Sequence, residues 1–349
     1  MNRILIVKLA ALGDAVMAST LVPAIRARWP NAQISWAAGS GVAPLVRCME
    51  GVDRVIEIND QALLGGNKAV AVATMVGSWL RIGRGYDLAL IAHTDPRYAV
   101  IAQFSGAKDI RRFADERAPR PGRWHGSEYL RLLDDASANT RTPALAALRA
   151  NALIASSHDG RAVDQGSGAL IVVAPGGGRN ILHDDPLRRW PIASWVAVVA
   201  ALVAQGHRVV ATGSQTDWEE CAACARAGAT DMSGKTNLLE ALALIKAADV
   251  VVTADSGSLH LATLLNRPTV ALFGPTRPDE RIPAGAPVTV LSRAAELTCA
   301  PCYDGFRYAE CALNLCLARV AIQEVVTAVN DRLSNAGPYE PPTPSPQTP

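Results

Sequence analysis

No apolar run in these 349 residues approaches the roughly 20 residues a helix needs to cross a bilayer. The longest clean one, WVAVVAALVA from Trp195 to Ala204, fits a buried helix instead. Net charge is equally scarce. A balance of +2 leaves no electrostatic footprint for a nucleic-acid partner. Lysine is sparse and arginine supplies most of the positive charge, which suits a protein that grips phosphates. No strand runs into a Gly-Lys-Ser/Thr loop, and none runs into Gly-x-Gly-x-x-Gly. The P-loop reading is therefore excluded and a nicotinamide dehydrogenase is a poor one. No set of histidines and carboxylates has the spacing of a catalytic metal site. A cleaved signal is not expected, because the apolar start is short and Asp14 interrupts it. The seven cysteines are then expected to be reduced thiols or metal ligands in a cytoplasmic protein.

What is present is strand, loop and helix in alternation. ILIV (4–7) is a short, fully apolar strand. Met17, Leu21 and Ile25 then recur at helical spacing, and QISWAA (33–38) is the next strand. This is a βαβ unit, which implies a parallel sheet. DRVIEI and YDLALIAH read as further strands, and SEYLRLLDDA as a helix. A polar, glycine-bearing stretch without period, 155–168, marks a boundary. A second series opens at ALIVVAPGGG (169–178), with later strands RVVATG, VVVTADSG and TVALFGP. The expected organisation is an N-terminal Rossmann-like domain over 1–160 and a C-terminal Rossmann-like domain over 169–333. A proline-rich tail, 334–349, is expected to be disordered. Both domains are α/β and doubly wound, so the cleft between them, beyond the strand ends, is the default site.

Three stretches carry chemistry. In AALGD, Asp14 follows the first strand where a helix begins. It reads either as an N-cap, contributing about 1 kcal/mol, or as a general base facing the cleft. In APGGGRNILHDDPLRRWP, Gly176 and Gly177 can bring backbone N–H groups close to a phosphate. Arg188 and Arg189 stand before Trp190-Pro191, at a helix start where cations are mildly unfavourable, so a pyrophosphate gives them a reason to be there. In VVVTADSGSLHLA, a strand ends at Asp255. Ser256, Gly257 and Ser258 open a helix, and His260 lies one turn in. This is a capped helix with a core histidine, or a diphosphate on a helix N-terminus with Asp255 turned toward a sugar or ribose hydroxyl.

Two features are less specific. Cys299-x2-Cys302-x8-Cys311-x4-Cys316 has the ligand count for a structural zinc or iron site. The alternative is small thiols, as expected for Cys221 and Cys224 on one helical turn. The segment Lys108 to Leu130 is rich in Arg and reads as a solvated face, or as a contact for an anionic acceptor or membrane headgroups. Lys8, Arg97, Arg111 and Arg112 are the acceptor-side candidates.

Taken in order, ILIVKLAALGDAVMASTLVPAIRARWP, YDLALIAHTDPR, APGGG…RRWP, ADSGSLHLATLLNRPTVALFGPT and the C-terminal cysteines resemble glycosyltransferase family 9, the ADP-heptose:lipopolysaccharide heptosyltransferases. The resemblance runs along nearly the whole chain. It implies a GT-B fold, two Rossmann-like domains with the nucleotide-sugar between them. It implies an inverting transfer to a glycan or glycolipid acceptor, with no catalytic metal or other cofactor. Such an enzyme would work in the cytoplasm, with peripheral contact at the inner membrane. Asp14 matches the family's Gly-Asp base. Arg188 stands where a lysine usually holds the diphosphate. Asp255, Ser256, Gly257 and His260 match the donor loop. Ala-Leu before Gly13, and HTDPR after the fourth strand, depart from the usual pattern and bear on the acceptor. The competing readings are a GT-B transferase with a different nucleotide-sugar and a non-catalytic nucleotide- or metal-binding relative.

Overall fold

The computed structural model describes residues 1–64, 67–113, 119–134, 143–150, 168–179, 184–304 and 307–335. Most of the expected boundary segment, 155–167, and most of the tail lie outside them.

Two parallel sheets form, one in each half of the chain. The first has the order β3-β2-β1-β4-β5. Its strands are β1 (Arg3–Val7), β2 (Gln33–Gly39), β3 (Arg54–Ile58), β4 (Leu88–Ile91) and β5 (Asp109–Arg112). The central strand β1 is flanked on both edges and covered on both faces. Ile4, Leu5, Ile6 and Val7 are therefore fully buried. Each such side chain stabilises the fold by about 1.5–3 kcal/mol, which is why the strand tolerates no polar alternation.

The second sheet has the order β11-β10-β9-β6-β7-β8. It comprises β6 (Leu170–Ala174), β7 (Arg208–Ala211), β8 (Thr230–Asp231), β9 (Val250–Ala254), β10 (Thr269–Phe273) and β11 (Val288–Ser292). Its central strands β6 and β9 are again apolar throughout and buried. The helix expected from the apolar run 195–204 is present as Ile192–Ala204. It packs Trp195, Val198, Val199 and Leu202 into the C-terminal core, so the longest apolar run belongs to that core.

The sequence reading missed several elements. The Arg-rich run contains edge strand β5, whose neighbour Leu90 pairs with Arg111. A helix, Lys68–Ile82, lies between β3 and β4, and the helix Ile322–Asn335 closes the C-terminal domain. SEYLRLLDDA forms only a short helix, His125–Tyr129, and a 3-10 turn, Leu130–Leu133.

The two halves share a core. The helix Leu12–Ala18, leaving β1, packs along Gly257–Leu264, leaving β9. Ala43–Arg47 meets Leu238–Ala247 in the same way. One apolar cluster joins Ile4 and Met17 to Val172, Leu242 and Leu261. The carboxyl ends of both central strands thus open toward each other.

Candidate functional site

Asp14 lies in the first turn of the helix Leu12–Ala18, but it does not cap it. Ala11 holds the cap position and no side chain bonds there. The carboxylate instead accepts a hydrogen bond from Lys8 Nζ at 3.0 Å. Lys8 is buried at the end of β1, its ammonium 5.8 Å from the Tyr129 ring. Burial pushes the Asp14 carboxyl up, but the charges of Lys8 and Arg281, with the hydrogen bond from Lys8, outweigh it. They hold the group well below the usual carboxylate range. Asp14 is therefore an ionised, half-buried carboxylate.

Gly13 shows why that position has no side chain. A Cβ there would lie 2.3 Å from Cδ2 of His260, across the domain interface. Burial lowers the His260 pKa to about 4, so the imidazole is neutral near pH 7.

On the C-terminal side Asp255 is buried at the end of β9. Its Oδ2 accepts from Thr276 Oγ1 at 2.8 Å. Arg188 Nη2 approaches Oδ1 at 3.3 Å and also donates to the Asp255 carbonyl. Arg281 Nε stands 3.9 Å from Oδ2. Burial pushes this carboxyl up, and the two guanidiniums overcome it, leaving the pKa at about 2.

Ser256 occupies the N-cap of the helix Gly257–Leu264 without capping it. Its hydroxyl lies 3.0 Å from Thr253 Oγ1. Gly257 faces Leu12 of the other domain, where a Cβ would come within 3.1 Å of Leu12 Cδ2. Ser258 follows, half-buried, in the same first turn.

The glycine loop after β6 lies beside this turn. A Cβ on Gly177 would stand 2.7 Å from Ser256 Cβ, and Gly177 has φ +110°, so it is required twice over. Asp217 organises the loop. It accepts the Gly177 N–H at 3.1 Å and Arg179 Nη1 at 2.8 Å, and it occupies the space a Gly176 side chain would need. Arg189 donates to the Gly177 carbonyl at 2.8 Å and pairs with Asp184. Arg188 thus faces Asp255, whereas Arg189 braces the loop.

Several residues at the site escaped the sequence reading. Arg281 Nη1 donates to His125 Nδ1 at 3.0 Å, and Glu280 accepts the Gly122 N–H at 2.7 Å. The short helix Pro278–Arg281 therefore clasps the other domain. Burial and the Arg281 charge lower the His125 pKa to about 3. Only the run TRPDER, dense in charge after a buried strand, hinted at this.

The acceptor-side candidates are not gathered in one place. Arg97 forks onto Asp95, with contacts of 3.0, 3.1 and 2.6 Å. Arg111 pairs with Asp109 and Asp134, each at 2.7 Å. With the exposed Arg112 it lines a groove that includes Arg131 and Leu132 and does not include Asp14. Much of the Arg-rich run is spent internally. Arg120, Arg123 and Arg131 all converge on buried Glu128.

The four C-terminal cysteines are free thiols. Burial, then the neighbouring thiols Cys302, Cys311 and Cys299, push the Cys316 pKa up. Among the described residues no group of three or more His, Cys, Asp or Glu side chains is placed to hold a metal ion. The expected zinc or iron site at Cys299, Cys302, Cys311 and Cys316 therefore gains no support. Cys316 instead lies beside Asn314 Oδ1, at 3.5 Å.

The family model for glycosyltransferase family 9 (heptosyltransferase) matches residues 154–312. Lipooligosaccharide heptosyltransferase 2 of Haemophilus influenzae is 27% identical over 329 residues, covering 83% of this chain and 88% of that protein. Lipopolysaccharide heptosyltransferase 2 of Escherichia coli is 27% identical over 314 residues, covering 79% and 84%. Among solved structures, the E. coli ADP-heptose lipopolysaccharide heptosyltransferase II superposes with a TM-score of 0.73 at 22% identity, covering 96% of this chain and 99% of that one. The family 9 glycosyltransferase of Veillonella parvula gives 0.74 at 17% identity, covering 96% and 98%. The fold, two Rossmann-like domains around a cleft, is GT-B. With a family model matched over its C-terminal half, relatives aligned along most of its length and a shared fold, the chain is similar to the heptosyltransferases of glycosyltransferase family 9.

Proposed function

We propose that the protein is an inverting transferase that moves a heptose from ADP-heptose to a sugar hydroxyl of a lipopolysaccharide core or a related glycan. It would act at the cytoplasmic face of the inner membrane. The observation that carries this reading is the pairing across one interface of an ionised carboxylate, Asp14, with a cationic pocket built from Arg188, Arg281 and an uncapped helix start at Ser256. The heptosyltransferase relatives support the choice of donor and acceptor.

In the reaction the acceptor oxygen attacks the anomeric carbon from the face opposite the nucleotide. The new C–O bond forms as the bond to the diphosphate oxygen breaks. Asp14 takes the acceptor proton and ADP leaves as an anion. A carboxylate held so acidic is a weak base, which is enough if the hydroxyl becomes acidic only as it attacks a cation-like carbon. Lys8 keeps that carboxylate ionised and fixes its direction. The departing charge is met by Arg188 and by the N–H groups at 257 and 258, with the helix end adding up to ~2 kcal/mol. Charge-assisted hydrogen bonds add about 1.5–3 kcal/mol each. These fall at the low end of the ~8–23 kcal/mol that enzymes supply, so clasping both substrates between the domains contributes the remainder. Asp255, ionised and close to Arg188, offers a carboxylate to a sugar or ribose hydroxyl. Positive side chains meet the diphosphate, so no divalent cation is assigned a role.

The test is Asp14→Asn, which preserves shape and removes the base. Transfer should fall by about 10²–10⁴ while ADP still raises the thermal midpoint. Near-normal transfer would sink the assignment. Stabilisation by UDP or GDP in place of ADP would keep the mechanism and overturn the donor.

A further inference from the structure

The helix Lys68–Ile82 covers one face of the N-terminal sheet with an unusual outer side. Its inner side is ordinary, because Ser78 and Ile82 are buried and Met75 packs on the core beneath. The opposite stripe, at helical spacing, is Ala69, Val72, Ala73, Val76 and Leu80. Val72 is 63% exposed, Val76 43% and Leu80 81%. A surface helix normally turns charge outward. Here no charged residue occurs from Ala69 to Leu80. On the flank Trp79 stacks on Phe104, itself 40% exposed, with ring centroids 3.3 Å apart. Ile110, 40% exposed on β5, adds apolar surface to the same side of the sheet, since it pairs in register with Ala89.

The charges close to this stripe are mostly basic, since Asp60 is buried and Asp87 is engaged by Lys108 and the first amides of the chain. Residues 61–86 contain Lys68, Arg81 and Arg84 and no acidic residue. Arg54, also exposed, donates to the last carbonyls of the helix at Arg81 and Ile82. The nearby carboxylate of Glu57 is already paired with Arg47. An apolar stripe, an aromatic pair at its margin and a basic rim form the pattern of a helix lying in a lipid interface. At 15 residues, roughly 22 Å, the helix is too short to span a bilayer.

We propose that the stripe Val72–Val76–Leu80, with its basic rim, docks the N-terminal domain on an anionic lipid bilayer, the apolar residues entering the headgroup boundary. The inference rests on the reading of the acceptor as a membrane-borne glycolipid. The helix runs back against a parallel sheet from the carboxyl edge of the strands, where Asp14 opens, to the amino edge, where Arg54 at the start of β3 meets its last carbonyls. With this helix lying flat on the bilayer, the cleft would stand beside the membrane surface. The Arg-rich run is a weaker candidate, because its Arg111, Arg120 and Arg131 are already paired with Asp109, Asp134 and Glu128.

The full chain should be sedimented with vesicles of phosphatidylcholine, alone or with roughly one-third phosphatidylglycerol. We expect binding to the mixed vesicles that weakens as salt is raised. The double variant Val76→Glu/Leu80→Glu should bind about 10-fold less or weaker. Both positions are exposed, so its thermal midpoint should be unchanged. Equal binding by the double variant, or no binding by the unmodified chain, overturns the proposal. So does light scattering that shows a dimer which the double variant dissolves, since the stripe would then be covered by a second copy. Transfer to a water-soluble, acyl-free acceptor separates the two readings. If docking is right, the double variant transfers at the normal rate there and slowly to acceptor in vesicles. If the unmodified chain transfers nothing to the soluble acceptor, the functional reading fails and the vesicle result stands on its own.

Discussion

Gly13 and His260 lie 247 positions apart in the chain, yet the imidazole of one occupies the space into which a side chain on the other would project. The glycine that precedes Asp14 is thus a packing requirement of the domain interface. His260, met in the sequence as part of a donor loop, is the surface on which the helix Leu12–Ala18 rests.

Gly13→Ala should therefore act as overpacking at an interface. A Cβ at 2.3 Å from His260 Cδ2 forces the helix or the ring to move. A cost of about 1–3 kcal/mol is expected, read as a lower thermal midpoint together with slower transfer. Adding His260→Ala should recover part of the stability, and a double-mutant cycle measures the coupling. Purely additive losses would show that the two residues do not meet.

Lys8→Met removes the cation that holds Asp14 ionised. Asp14 must be a carboxylate to accept a proton, and its pKa is depressed with Lys8 in place. Without Lys8 the pKa rises, so the acidic limb of the kcat/KM profile should move to higher pH. The same depression means that stability from the pair is present above the ordinary carboxylate pKa and lost as pH falls through the lowered one. A profile with an unmoved acidic limb would separate Lys8 from the base.

Arg188→Ala leaves the Asp255 carboxylate buried with Arg281 and Thr276 as its remaining close partners. Breaking such a pair costs about 3–5 kcal/mol, so both the thermal midpoint and the affinity for ADP should fall. Arg188→Lys keeps the charge and loses the fork. It should recover most of the stability, with a donor KM above that of the parent. Unchanged donor binding in both variants would remove Arg188 from the donor site.

The buried histidines make stability depend on pH. Burial lowers His93 and His260 to about 4 and His125 to about 3, against about 6.5 unfolded. Between those limits the unfolded chain binds more protons than the folded one, so stability rises with pH up to about 6.5 and then levels. The thermal midpoint should be lower at pH 5 than at pH 7.5, and His125→Gln should flatten that slope. A parent whose midpoint does not change between these pH values would contradict the burial of these rings.

Much of the fold was legible because burial on both faces demands it locally. ILIV, LIVVA and VVVTA are uninterruptedly apolar because each is a central parallel strand with a layer on either side. The loops after them carry Asp14, Gly177 and Asp255 because strand-to-helix turns put polar groups at one edge of a sheet. The helix Lys68–Ile82 was missed for the opposite reason. With apolar residues facing outward as well as inward, it has no polar stripe to reveal its period.

What the sequence determined by itself was the two parallel sheets, the cleft between them and the residue types at its mouth, since these follow from short-range pattern. Which residue faces which was decided only by the tertiary structure. Lys8 was expected to serve an acceptor and is paired with Asp14 at 3.0 Å. Arg188 and Arg189 both read as candidate phosphate ligands, yet one meets Asp255 and the other braces Gly177. Arg281 and His125, 156 residues apart, meet at 3.0 Å. Such pairings depend on how loops and domains pack in three dimensions, and packing is set by shape complementarity between surfaces, which a local window of sequence does not specify.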